Sequence, residues 1–170
     1  MSKEFYGFHC EHARRYYDGG WYEGSWVYNQ RHGKGQIKMD DGNEYNGDWK
    51  NDLIHGYGQY KWENGDEYEG DWVRHQMHGR GKLKMANGDE YEGDWVHHQM
   101  HGRGKLKMAN GDEYEGDLEN SKKNGNGQMI YADGSVYNGD WLDDKRHGFG
   151  EYESANGIKY SGQWLNDKQI

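Results

Sequence analysis

Hydrophobic and polar positions alternate in short runs. Tyr22-Glu23-Gly24-Ser25-Trp26 reads ring, polar, glycine, polar, ring, and Gly35-Gln36-Ile37-Lys38-Met39 alternates likewise. A period of two predicts strands. A polar stretch, Asn29-Gln30-Arg31-His32-Gly33, separates the two runs and predicts the first turn. Asp41-Gly42 follows the second run and is a strong hairpin-turn signal. The chain is therefore expected to be built from β-hairpins joined by further turns. Helix is excluded, since interior glycines at this density cost about 1 kcal/mol each.

The pattern repeats every 23 residues. Units open at Tyr22, Tyr45, Tyr68, Tyr91, Tyr114 and Tyr137, with a shorter one from Tyr160. Each reads Tyr-x-Gly, continues to a Gly-x-Gly and closes on a Gly-containing turn. The third and fourth units differ only at Arg74 and His97. Tandem near-copies suit a stack in which each unit meets only its neighbours.

Composition sharpens the picture. Leu, Ile, Val and Phe together number 18 of 170 residues, too few for a conventional aliphatic core. There are 15 Tyr, 8 Trp and 28 Gly. Glycine is positional, because 25 of those 28 fall in four columns of the repeat. Order is therefore expected to come from rings lying over glycine on neighbouring strands.

Strand parity sorts the side chains into two faces. One face carries Tyr22, Gly24 and Trp26, with Gly35, Ile37 and Met39 on the returning strand. The other face is ionic, with Glu69, Asp71, Glu92 and Asp94 set against Arg80, Lys82, Lys84, Arg103, Lys105 and Lys107. Opposite charges on neighbouring strands predict cross-strand ladders. The formal charge of −9 and the interleaving of the basic residues argue against nucleic acid and against an anionic membrane surface. The one cysteine, Cys10, excludes an internal disulfide and fits a reducing compartment. No apolar run approaches transmembrane length, and no signal peptide is read at the N-terminus.

The repeated Tyr-x-Gly-x-Trp, His-Gly-x-Gly and Asp-Gly-x-x-Tyr-x-Gly at this spacing resemble the MORN repeat (membrane occupation and recognition nexus), with six full units and one partial. Residues 22–170 form the array. Residues 1–21 read as an N-terminal cap with a degenerate half-repeat, in which Cys10-Glu11-His12 stands where Gly33-Lys34-Gly35 stands later. The resemblance implies an all-β fold, an elongated, twisted, single-layer antiparallel sheet about 60–65 Å long. It implies no catalysis and no cofactor. Stand-alone members are similar to components of ciliary axonemes, radial spoke heads included, and of other cytoskeletal assemblies. The resemblance thus implies a non-enzymatic scaffold or spacer in the cytoplasm, bound to other protein chains.

Candidate sites follow from the repeat and from its departures. The aromatic face, with Tyr45, Trp49, Tyr68, Trp72, Tyr91, Trp95, Leu83, Met85, Leu106 and Met108, is expected to form an exposed apolar strip for a partner helix or strand. Tyr160, Trp164 and Leu165 lie on the last full strand and are expected to present an unpaired edge. Such an edge would dock another chain or a second copy by strand addition. Unit five departs from the pattern at Leu118, and Lys122 and Lys123 are its basic exception. His32, His55, His78, His101 and His147 form one column and read as turn residues, so a metal reading would rest on His75, His97 and His98. The periodic acid pairs, such as Asp66-Glu67 and Asp89-Glu90, read as ladder members. The runner-up function is a peripheral module for anionic phospholipid.

Overall fold

The computed structural model describes residues 10–170. The fold is all-β, and within each of its two compact units, Met1–Gln76 and Met77–Ile170, the strands follow chain order and run antiparallel in an open sheet. The first unit contains β1 (Cys10–Tyr17), β2 (Gly20–Val27), β3 (Gln30–Met39), β4 (Glu44–Lys50), β5 (Leu53–Lys61) and β6 (Glu67–Val73). The second contains β7 (Gln76–Lys84) from its second residue on, β8 (Glu90–Val96), β9 (Gln99–Lys107), β10 (Glu113–Glu119) and β11 (Lys122–Ile130). It continues with β12 (Val136–Leu142), β13 (Lys145–Glu153), β14 (Lys159–Leu165) and β15 (Lys168–Gln169). Residues 1–9 of the expected cap lie outside the described residues. The rest of that segment pairs as β1 against β2, from Cys10↔Val27 to Tyr17↔Gly20.

Two kinds of turn alternate. The Asp-Gly turns sit where the alternation places them. Gly42 adopts φ +90°, its N–H donates to Met39 O at 3.1 Å, and the Met39 N–H donates to Asn43 O at 2.9 Å. The Asp41 carboxylate accepts the Asn43 N–H at 3.0 Å and closes the loop.

The other turn is not where the polar stretch put it. The reversal takes only Tyr28 and Asn29, both at positive φ (49° and 61°), with Val27 paired to Gln30. Asn51-Asp52, Asn120-Ser121 and Asp143-Asp144 repeat these angles. A two-residue turn with both residues left-handed matches the twist of the flanking strands. Arg31, His32 and Gly33 therefore lie inside β3. The register there runs from Gly24↔Gly35 to Trp26↔Arg31, so the extra residues form a bulge at His32–Lys34, with Gly33 at φ +71°.

Left-handed backbone is unfavourable for residues bearing a Cβ, and from Asn51-Asp52 onward these turns are clamped to the preceding hairpin. The Asp52 N–H donates to Arg31 O at 3.0 Å, and Asp52 Oδ1 accepts the Arg31 N–H at 2.9 Å. Asp144 does the same for Lys123, and Asp167 for Arg146. His75 accepts the Ile54 N–H through Nδ1 at 3.4 Å, and burial lowers its pKa.

The core is a column of rings. Tyr22, Tyr45, Tyr68, Tyr91, Tyr114 and Tyr137 are wholly buried. Tyr22, Tyr45, Tyr91, Tyr114 and Tyr137 each lie beside a cross-strand glycine pair, as Tyr45 does with Gly47↔Gly58, where added methyls would collide with the ring and with each other. Each hydroxyl donates to the carbonyl three residues on, from Tyr22 to Ser25 at 3.1 Å through Tyr137 to Asp140 at 2.8 Å. Indole N–H groups donate across strands to glycine carbonyls, as in Trp49 to Gly35 (3.0 Å) and Trp141 to Gly127 (3.1 Å). A ring is thus braced from two hairpins. Trp49 and Trp72 both meet Tyr45 edge-on, with centroids 5.4 and 5.8 Å away.

Candidate interaction faces

The aromatic face is closed by the protein itself. Tyr45, Tyr68 and Tyr91 have no exposed surface, and Trp49, Trp72 and Trp95 are almost fully covered. The expectation of an exposed strip is corrected for these six residues. The physical reason is that each tyrosine lies over glycine and takes a tryptophan against its edge, so the rings cover one another. Leu83, Met85, Leu106 and Met108 remain half-buried beside them, with Leu83 and Leu106 both paired to Tyr91.

One further column caps the rings. Arg31 lies over Trp49 (4.5 Å to the ring centre) and Arg146 over Trp164 (4.3 Å). Ile54, Met77 and Met100 occupy the equivalent position in the intervening repeats. Lys123 takes the same place in repeat five, with Nζ 4.7 Å from the Trp141 ring centre and 5.7 Å from that of Tyr114. Burial pushes its pKa down, with Asp144 and Asp167 opposing the shift. Lys122 bridges Asp143 at 3.0 Å. The expected basic exception is therefore engaged internally. Leu118 fills the tryptophan site and is buried, so Tyr114 keeps only Trp141 as an edge-on partner.

The last full strand is not bare. β15 returns against β14 through Trp164↔Gln169 and Leu165↔Lys168, and the Ile170 N–H donates to Gln163 O at 3.0 Å. Tyr160 donates to Gln163 O at 2.9 Å and contacts Ile170 O at 3.2 Å. Trp164 is buried, leaving Leu165 as the exposed apolar member. The unpaired edge expected at Tyr160–Leu165 is thus covered over part of its length.

The polar face carries the expected ladder. Lys34 pairs with Asp48 (2.7 Å), Lys38 with Glu44 (2.6 Å), Lys61 with Glu67 (2.7 Å), Lys82 with Glu90 (2.8 Å) and Lys105 with Glu113 (3.1 Å). These pairs are solvated and individually weak, so they set register and solubility more than stability. In β13–β14 the order inverts, with Glu153 accepting from Lys159 at 3.1 Å. The repeat histidines from His32 to His147 are turn and bulge residues, and His78 meets the His97 ring edge-on at 5.7 Å. Among the described residues no three His, Cys, Asp or Glu converge as a metal site, and Cys10 is exposed.

Two concavities of about 540 Å³ open on the surface. In the first unit, one is lined by Glu44, Lys61, Trp62, Glu63, Asp66 and Glu67, with Gly42 and Gly65. In the second unit, the other lies on the polar face of β9–β13. Its lining includes Arg103, Glu115, Asp117, Asn126, Asn138, Asp140, Phe149 and Glu151. Sequence reasoning placed function on the aromatic face and passed over this one. The signal was available as the loss of the Arg/Lys column after Lys107.

The family model for the MORN repeat matches residues 22–44, 45–67, 68–90, 91–113, 114–136, 137–159 and 160–169. The chain belongs to the MORN-repeat family. MORN repeats are non-enzymatic modules of protein interaction or membrane binding. Comparison with curated protein sequences finds no match. Among solved structures, the chain is similar to the TCP domain of Drosophila melanogaster SAS-4 (dCPAP) in complex with a proline-rich motif of Ana2 (dSTIL). That likeness has 16% identity and a TM-score of 0.35, covering 78% of this chain and 84% of that one. A streptogramin B lyase matches at 12% identity and a TM-score of 0.22, covering 89% of this chain and 68% of that one. Neither likeness bears on the function of the MORN array.

Proposed function

We propose that this MORN array is a non-enzymatic scaffold or spacer in a cytoplasmic protein assembly, a radial-spoke-like part of the ciliary axoneme or another cytoskeletal complex. One observation supports this most. The rings, indole N–H groups, phenol hydroxyls and turn carboxylates all hold one hairpin to the next. What remains for the outside is the patterned polar face of each unit, suited to contacts with other proteins. The axonemal placement is an analogy with stand-alone members of the family. A module for anionic phospholipid is less favoured, because many cations of the polar face already have carboxylate partners.

The test is detergent extraction of the source cells, a wash of the insoluble pellet at about 0.5 M salt, and immunoblotting of each fraction. Surface charge pairing is largely screened at that ionic strength. Retention with the cytoskeletal pellet is the expected result. Release by detergent alone would overturn the reading, and flotation with anionic vesicles would then support the membrane alternative.

A further inference from the structure

The polar face changes character within the second unit. On β7 and β8 it alternates strictly, with Arg80, Lys82 and Lys84 opposite Asp94, Glu92 and Glu90. On β11 the cation column is replaced by Asn126, Gln128 and Ile130. On β13 it is replaced by Phe149, Glu151 and Glu153. Carboxylates persist at Glu113, Glu115 and Asp117 on β10 and at Asp140 on β12, where Val136 and Asn138 replace the other two, and Glu151 and Glu153 stand in the former cation column.

This leaves carboxylates without cations. Glu115 stands between Gln128 and Lys105, whose ammonium turns to Glu113, and Glu151 stands between Asn138 and Ser161. Neither forms an ion pair among the described residues, while the neighbouring Glu113 is held by Lys105 at 3.1 Å. Asp117 and Asp140 are engaged locally, accepting the Asn126 and Phe149 N–H groups at 3.0 Å each. Glu115 and Glu151 are thus lining carboxylates with no ion-pair partner among the described residues, and with Asp117 and Asp140 they outnumber the one lining cation, Arg103.

These two residues share the 540 Å³ concavity with an aromatic ring. Phe149 is 51% exposed in a column held by Lys34, Arg80 and Arg103 in other repeats, and unlike Tyr57, the other ring there, it has no hydroxyl to bond a carboxylate. An exposed phenyl between carboxylates offers an apolar contact and a face for a cation. The amides of Asn126 and Asn138 present donors and acceptors nearby.

We infer that this groove on β10–β13 docks an extended basic segment of a partner protein, with Lys or Arg set against Glu115 and Glu151 and an apolar side chain against Phe149. Charge complementarity selects this occupant over an acidic one. Alternate side chains of an extended segment share one face, as the groove side chains do. The inference rests on the interaction-scaffold reading and gives it a surface.

The test uses the full chain and a short alternating Lys–Leu peptide, with the Glu–Leu peptide as control, followed by amide chemical shifts. Saturable shifts at Asn126, Asn138, Phe149 and Glu151 with the basic peptide alone are expected. In the double variant Glu115→Lys, Glu151→Lys, affinity should fall about tenfold, as expected for removing and reversing two exposed charge contacts. Phe149→Ser should also weaken binding, with circular dichroism confirming that each variant folds. Shifts spread equally over the β7–β9 ladder, or binding unchanged in the double variant, would overturn the groove. Pellet retention of the wild-type chain, read beside its peptide binding, separates the two readings. Peptide binding at the groove with wild-type chain released by detergent sinks the assembly reading alone. Retention of wild type with no peptide binding sinks the groove alone.

Discussion

The Tyr45 ring lies where a side chain on Gly58 would stand. A Cβ built on Gly58 falls 2.5 Å from Tyr45 Cε2, while the Tyr45 hydroxyl donates to Asp48 O at 3.0 Å and cannot swing away freely. The glycine columns are thus the floor of the aromatic core.

Gly58→Ala should lower unfolding free energy by about 2–3 kcal/mol, the cost of overpacking a closed site. Gly157 is the control. It has φ +85°, but a Cβ there meets nothing within 4 Å. Gly157→Ala should cost only the backbone strain, about 1 kcal/mol. Urea denaturation of both variants checks the difference, and equal costs would refute the ring-over-glycine account.

Asp52 holds a strained turn and clamps the hairpin before it. Asp52→Ala removes the acceptor for the Arg31 N–H and for Arg31 Nε (3.0 Å) yet keeps φ +66°. It should cost about 1–2 kcal/mol. Asp52→Gly loses the same bonds but relieves the left-handed strain, so its cost should be visibly smaller. Thermal melts of the pair give the comparison.

The buried tyrosines predict alkaline unfolding. Burial pushes the Tyr22 and Tyr137 phenols to about 12 and raises those of Tyr45, Tyr91 and Tyr114 further. The unfolded phenol titrates near 10. The folded state therefore holds protons that the unfolded state has lost. Stability is unaffected below pH 10 and falls as pH rises from there through the folded values. Phenolate absorbance should then appear together with loss of the sheet signal. Phenolate formation on an intact sheet would contradict this.

Lys123 carries the opposite sign. Burial lowers its folded pKa below the ordinary 10.5, so its charge costs stability at neutral pH, and the cost fades as pH rises from the lowered value towards 10.5. Lys123→Met copies the residue at position 100 and roughly conserves volume. It should stabilise the protein at pH 7 by less than about 1.5 kcal/mol. The gain should shrink towards pH 10, as denaturation midpoints at both pH values would show.

Some elements were legible in the chain and others were not, for identifiable reasons. The Asp41-Gly42 turn was legible because a glycine at positive φ leaves a local signature. The Tyr28-Asn29 turn was not. Its left-handed pair lacks glycine, and the strand that leaves it is held through Arg31 by Asp52, which stands 23 residues beyond Asn29 in the next such turn. The polar stretch at 29–33 drew the turn forward, although only Asn29 belongs to the turn, Gln30 and Arg31 are paired in β3, and His32 and Gly33 enter its bulge.

The candidate faces divide in the same way. Parity assigned Tyr45, Trp49 and Leu83 to one side and Lys82 and Glu90 to the other, and the structure keeps that division. Parity does not say how much of a face stays open. That depended on Trp72 reaching back to the Tyr45 ring, which no single repeat contains. Likewise, the charge at Lys123 was plain in the chain, but its place over Trp141 arises only when two hairpins pair.

The sequence by itself determined the 23-residue period, the all-β class, the glycine columns and the charge ladder, because each is set by local backbone geometry and strand alternation. The tertiary structure alone decided that the aromatic face is a closed core and the polar face of β10–β13 an open groove. Burial and concavity depend on what neighbouring hairpins place over a side chain, and one strand's pattern does not contain its neighbours.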